Sequence, residues 1–211
     1  MQYAGCKKPV ICDVNFKISA GEKVVLVGNK GSGKSTIVNL ILGLCRPTSG
    51  EILINGTDIK RIDKVQLRRQ MGMVLQDNIL FNKSILDNIR MEHEEIPLEQ
   101  VQEVAKLVNI HKFIEQLPMQ YYTEITNFGM HLPKKQRGGI VLARAILKKK
   151  PFFIIDEMLE EICTKGKNNL FEYFTNKKNT YFLVLRYKKK IREADKVLHI
   201  KNKRVLQIPN T

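Results

Sequence analysis

The run Gly28-Asn29-Lys30-Gly31-Ser32-Gly33-Lys34-Ser35-Thr36 has the residue types and spacing that hold phosphate. It fits the pattern GxxxxGK[ST]. Gly28, Gly31 and Gly33 let the backbone turn through conformations closed to other residues and bring amide donors close to an anion. Those amides converge on the N-terminus of the following helix, where the helix dipole favours negative charge. In such a loop Lys34 reaches the β and γ phosphates of a nucleotide, and the Ser35 hydroxyl ligates Mg²⁺. A second candidate is the pair Asp156 and Glu157, delivered by the apolar run Phe152-Phe153-Ile154-Ile155. At the C-terminal end of a strand beside the phosphate loop, Asp156 joins the metal shell and Glu157 polarises an attacking water. Alone, the first is a glycine-rich turn and the second an exposed acidic pair. Together they predict a site for a nucleotide and Mg²⁺.

Both groups need strands behind them. Lys23 to Val27 is a short apolar run between glycines and reads as a buried strand; Ile37, Leu40, Ile41 and Leu44 then recur at helical spacing. Strand, loop and helix are the context the pattern requires. Val10 to Ile18 is expected to be a strand, because Ile11, Val14, Phe16 and Ile18 partly alternate. Glu51 to Ile54 is expected to be another, ending at the Asn55-Gly56 hairpin signal. A helix over Val65 to Gln70 and a strand over Met71 to Leu75 follow, ending at Gln76.

The character then changes. Leu98, Val101, Val104, Ala105 and Val108 mark an amphipathic helix, and His111 to Leu117 a second one stopped by Pro118. Residues 79–138 are therefore expected to be a helical subdomain inserted into a core formed by 1–78 and 139–211. Helices over Ile140 to Lys149 and Leu170 to Phe174 are expected, with a strand over Tyr181 to Leu185 and a closing hairpin around Asn202.

At 211 residues and 43% hydrophobic, the chain can bury a core. No apolar run reaches the roughly 18 residues of a membrane span, and the opening residues do not read as a secretory signal. The four cysteines are scattered without a CxxC pair, which suits reduced thiols better than disulfides or zinc. The formal charge of +15 admits nucleic acid, an anionic membrane surface or an acidic partner, and equally a solvated lysine-rich surface.

With these residues in view, the sequence resembles the nucleotide-binding domain of an ATP-binding-cassette (ABC) transporter of the exporter type, over nearly its whole length. Tyr3, before KPVICDVNFKISAGEKVVLVG, is similar to the aromatic that stacks on adenine. MGMVLQDNILFNKSILDNI resembles the family's Q-loop segment, with Gln76 the Mg²⁺ and coupling residue. YYTEITNFG resembles the loop that touches the membrane domain, with Asn127 and Phe128 in place of its charged pair. QRGGIVLARAIL and ADKVLHIKNKRVLQ resemble the helix after the signature and the closing strands. The resemblance implies an α/β P-loop NTPase (RecA-like) core with a mixed sheet, an antiparallel β portion and an inserted helical lobe. It also implies MgATP, a second nucleotide-binding domain, a transmembrane domain, and a place on the cytoplasmic face of the cell membrane. Relatives have a strand before the adenine-stacking aromatic, whereas this sequence begins two residues before Tyr3, so it reads as a fragment of a longer exporter or as lacking that strand.

Three motifs depart from the family. Its LSGGQ signature stands here as Leu132-Pro133-Lys134-Lys135-Gln136. Pro133 has neither hydroxyl nor N–H, and two lysines replace glycines that allow close approach. The family's SALD segment reads Glu160-Glu161-Ile162-Cys163, and its switch histidine falls on Arg186. Matching from Ile140 to Ala145 argues for substitution and not a register shift. The departures read either as drift in a chain whose partner does the work or as a site tuned to slow turnover. The expected function is the ATP-binding domain of an exporter with slow or partner-dependent hydrolysis, its defective signature favouring a heterodimer. The alternatives are a regulatory pseudo-ATPase that holds nucleotide without turnover and, less favoured, a soluble cassette ATPase acting on nucleic acid or ribosomes.

Overall fold

The computed structural model describes residues 1–76, 79–91, 93–156, 173–174, 179–186 and 194–209. Two compact units make up the chain. Met1–Met71, Pro151–Asp156 and Lys178–Thr211 form the first, and Gly72–Lys150 and Glu157–Lys177 the second.

Five strands of a six-stranded sheet belong to the first unit: β1 (Lys23–Val27), β5 (Phe152–Asp156), β6 (Thr180–Leu185), β7 (Lys196–Lys201) and β8 (Arg204–Ile208). They lie in the order β5-β6-β1-β7-β8. The first four are parallel, and β8 returns antiparallel on β7, so the sheet is mixed. Every residue of β6 and all but Lys23 of β1 are buried, the continuous apolar run expected of strands enclosed on both faces. Helix α1 (Lys34–Ile41) follows β1 through the glycine-rich loop. The hairpin of β2 (Leu53–Ile54) and β3 (Thr57–Asp58) turns at Asn55 and Gly56, both at positive φ (50° and 80°), as a two-residue type I′ turn demands. Helix α2 (Lys64–Arg69) opens on Asp63, whose carboxylate accepts the Gln66 amide at 2.8 Å.

Val10 to Ile18 corrects the sequence expectation, because it forms no strand. Asp13 sits at φ 47° and interrupts the extended run. The apolar side chains enter the core singly: Ile11 is buried, and Phe16 stacks on Phe182 with ring centroids 6.2 Å apart. Alternation here reports separate anchor points instead of a hydrogen-bonded ladder.

Strand β4 (Met71–Val74) carries the chain from the first unit into the second. The second unit is helical: α3 (Ile85–Arg90), α4 (Leu98–Leu107), α5 (His111–Glu115) and α6 (Lys134–Leu147). Ser84 caps α3, its hydroxyl accepting the Asp87 amide at 3.0 Å. Val101 and Ala105 bury the stripe of α4. Helix α6 packs against α3 and α4, and it begins at Lys134, earlier than the expected Ile140. Its first turn is polar and largely exposed, so it carries no apolar period to read. Of the helix expected over Leu170 to Phe174, only Tyr173 and Phe174 lie within the described residues, and both are helical.

Gly139 supplies a test of the α6 packing. Alanine in a helix interior normally gains about 1 kcal/mol over glycine. Here the added methyl would lie 2.2 Å from Ile110 Cγ2, a branch atom with little freedom. Gly139→Ala is therefore expected to destabilise the protein by about 1–3 kcal/mol, read as a lower urea midpoint.

Candidate nucleotide site

Parallel strand register brings the chemistry to one edge of the first unit. Leu26 of β1 pairs with Val184 of β6, and Val184 with Asp156 of β5. Beyond that row the chain continues into Gly28 after β1 and Arg186 after β6. The glycine-rich loop, the Asp156 carboxylate and the Arg186 guanidinium thus all belong to the C-terminal ends of adjacent strands. In open α/β sheets that edge is where ligands bind.

The loop has the backbone the sequence predicts. Gly31 lies at φ 78° and Gly33 at φ 105°. A side chain on Gly33 would also meet Ile11 Cγ2 at 2.5 Å, and one on Gly28 would meet Ser32 Oγ at 2.6 Å and Ile200 Cβ at 3.3 Å. Only glycine fits a loop so close to its support. Asn29 and Lys30 are exposed at its crest, and the Ser32 amide donates to Asn29 O at 3.1 Å.

Lys34 is 5% exposed, at the first position of α1. Its Nζ donates to Gly28 O at 2.7 Å and Asn29 O at 3.1 Å, so the ammonium lies inside the loop. Ser35 is exposed at the helix start, and Thr36 is buried one residue on. Tyr3 Oη donates to Thr36 Oγ1 at 3.2 Å, which holds this aromatic beside the first turn of α1. Asp156 is 3% exposed at the end of β5. Gln76 follows β4 in the second unit. Glu157 and the segment 160–163 lie outside the described residues.

The residues fit a phosphate and its metal. Ser32 Oγ is buried with no hydrogen-bond partner among the described residues, an unmet polar atom within the glycine-rich loop. Among the described residues no group of three His, Cys, Asp or Glu side chains could hold a metal. Mg²⁺ does not need one: it takes one or two protein oxygens and completes its shell with phosphate and water. The Ser35 hydroxyl and Asp156 carboxylate suit that role.

Pro133 to Gln136, where the resemblance puts the signature, open α6 in the second unit. Pro133 is the N-cap, at φ −55° and ψ 144°, and no side chain caps the first turn. Gly138 and Gly139 are buried within the helix, the latter against Ile110.

A strand, a glycine-rich loop of the phosphate-binding pattern and a helix on a mixed sheet, with helical residues between β4 and β5 in the chain, define a P-loop nucleotide-binding protein. The family model for ABC transporters matches residues 11–160, and the chain belongs to that family. It is accordingly an ATP-binding domain of ATPase type. A Bacillus subtilis (strain 168) relative named "Putative multidrug export ATP-binding/permease protein YgaD" is 37% identical over 209 residues, covering 98% of this chain and 36% of the relative. A similarly named Staphylococcus aureus protein, SAB1799c of strain RF122 / ET3-1, is 36% identical over 208 residues, with the same coverage. A solved bacterial Atm1-family ABC exporter with ATP bound superposes with a TM-score of 0.87 at 28% identity, over 99% of this chain and 37% of that one. The chain thus spans about a third of the length of the relatives it matches.

Proposed function

We propose that this chain is the MgATP-binding domain of a membrane exporter, and that it pairs with a second nucleotide-binding domain whose signature is intact. The observation that carries the pairing is an asymmetry within one chain. The phosphate loop is complete, while α6 opens on Pro133-Lys134-Lys135 without a cap. In this reading Lys34 and the loop amides grip the β and γ phosphates, and Tyr3 stacks on the adenine. Ser35 and Asp156, with Gln76 as the family resemblance implies, would hold Mg²⁺, whose charge would offset that developing on the phosphates. Glu157 orients and polarises the attacking water. A partner's glycine-lined signature would complete this site, whereas the partner's own nucleotide would face Lys134 and Lys135.

The membrane side of the reading rests on two segments of the second unit. Residues 79–85 and 121–130 are joined by hydrogen bonds from Ile85 N to Thr123 O, Ile125 N to Lys83 O and Phe128 N to Asn82 Oδ1. They display Phe81 (45% exposed), Phe128 (56%) and Met130 (71%). Among the described residues no helix is long and apolar enough to cross a membrane. The relatives carry both ATP-binding and permease in their names. We therefore assign these segments to a transmembrane partner, which puts the chain on the cytoplasmic face of the cell membrane. The purified chain is expected to bind MgATP yet to turn over far below the roughly 10 s⁻¹ of a typical enzyme. Hydrolysis at that rate by the chain alone would overturn the pairing.

Arg186 gives a second prediction. Its guanidinium stays charged at any physiological pH and suits phosphate geometry. Arg186→Ala is expected to lower affinity for ATP more than for ADP, by about tenfold, the worth of one charge-assisted hydrogen bond. In Arg186→His that preference should depend on pH. It should be strong below about 6.5, where imidazole is protonated, and fade above it. Nucleotide titrations at three pH values check both.

A further inference from the structure

Helix α6 carries a half-buried cation that the nucleotide site does not use. Arg144 donates Nε to Asn88 O at 2.6 Å and Nη2 to Asn88 Oδ1 at 3.0 Å, and its guanidinium lies 5.2 Å from the centre of the Phe81 ring. Among the described residues no carboxylate pairs with it. Burial alone pulls it down to about 10. The acceptor carbonyl belongs to α3 near its C-terminal end, where helix carbonyls lack partners and a cation is favoured.

Asn88 is fully buried and spends its amide on the neighbouring loop. Its Nδ2 donates to Phe81 O at 2.9 Å, Lys83 O at 3.2 Å and Ser84 O at 3.0 Å, and its Oδ1 accepts the Phe81 amide at 2.8 Å. One side chain therefore shapes residues 81–84 of the first docking segment, and Arg144 fastens that side chain to α6. Two turns earlier on the same helix, Arg137 Nη1 reaches Gly129 O at 3.4 Å in the second segment. The two arginines stand seven residues apart, on one face of α6.

We propose that Arg144 is a positioning residue which, through Asn88, makes the two docking segments and α6 a single body, so that a partner seated on the segments sets the orientation of Pro133 to Gln136. The inference rests on the assignment of those segments to a transmembrane partner. An arginine suits the role because its planar fork engages two acceptors at once. A lysine ammonium would keep the charge but present it as a single point, without the fork's fixed spacing.

The test compares the parent, Arg144→Lys and Asn88→Ala, as the isolated chain and in the complete exporter reconstituted in lipid nanodiscs. In the isolated variants, amide hydrogen exchange at Phe81, Ile85 and Ile125 is expected to quicken by about tenfold or more, with the amides of β1 unchanged. Nucleotide affinity and basal hydrolysis should stay near parental values. The ratio of hydrolysis in the exporter to that of the isolated chain should fall by about tenfold, the scale of a typical coupling energy. Exchange at those amides that does not change would overturn the proposal, as would a stimulation ratio that survives in Arg144→Lys. Equal losses of basal and stimulated hydrolysis would make Arg144 a purely structural residue and would also overturn it. A parent chain that gains nothing from the membrane part would instead overturn the docking assignment itself.

Discussion

Replacing Lys34 with alanine is expected to remove most or all of the thermal stabilisation conferred by MgATP. At a nucleotide concentration 100 times the dissociation constant, binding stabilises a protein by about 2.7 kcal/mol. In a domain of 150–250 residues each kcal/mol moves Tm by about 2–4 °C, so the parent should gain roughly 5–10 °C. Lys34 Nζ is buried and already donates to Gly28 O and Asn29 O. Binding exchanges or shares those carbonyl partners with phosphate oxygens, and the ammonium need not be drawn from bulk water. Removing one member of such a buried charge pair costs about 2–5 kcal/mol, or roughly 30- to 5,000-fold in affinity. The variant should fold, because deleting an amine that bridges two loop carbonyls leaves the apolar packing of Val24 to Val27 and Ile37 intact. A full MgATP-induced Tm shift in Lys34→Ala would show that the nucleotide does not sit in this loop.

What could be read from the sequence is what is local. The phosphate loop is one contiguous run whose glycines declare the backbone they allow, and Gly31 and Gly33 adopt it. The Asn55-Gly56 hairpin is equally local. So is the cap of α3: Ser84 and Asp87 stand at capping-box spacing, a signal present in the sequence but not used in predicting the helices there. Val10 to Ile18 failed because alternation says which side chains are buried but not whether a neighbouring strand shares the ladder. The start of α6 was missed because propensity and polarity do not mark a helix whose first turn buries nothing.

Of the candidate site residues, Lys34, Ser35 and Thr36 come from the motif, Asp156 from the end of an apolar strand, and Tyr3 only from the family resemblance. The Tyr3–Thr36 bond could not be named in advance, since it joins residues 33 apart. The Arg144–Asn88 link joins residues 56 apart, and nothing in the local pattern around either predicts the other. Such links depend on how α3 and α6 meet, which only the packed unit determines.

Writing the family signature into this chain, as Pro133→Ser with Lys134→Gly and Lys135→Gly, is expected on the proposed pairing to let it hydrolyse ATP as a pair of its own copies. Serine restores a hydroxyl at the N-cap of α6, where Pro133 leaves the first-turn amides without a side-chain acceptor. Two glycines clear the approach for a second copy's terminal phosphate. One restored transition-state donor is worth roughly 10² to 10³ in rate. The three changes act as a unit, so a gain of that size, not a multiple of it, is expected. The helix should tolerate them. Each glycine costs about 1 kcal/mol of helix propensity at most, while removing each lysine from the positive end of the dipole returns about 0.3–1 kcal/mol. Two measurements separate the outcomes: steady-state phosphate release against chain concentration, and sedimentation with and without MgATP. A rate that climbs with concentration and is lost on Glu157→Gln would mean that these three residues are what confine the parent to a partner. An unchanged rate in a well-folded variant would move the defect elsewhere, to the Glu160–Cys163 segment or to Arg186, and would remove the reason for a heterodimer.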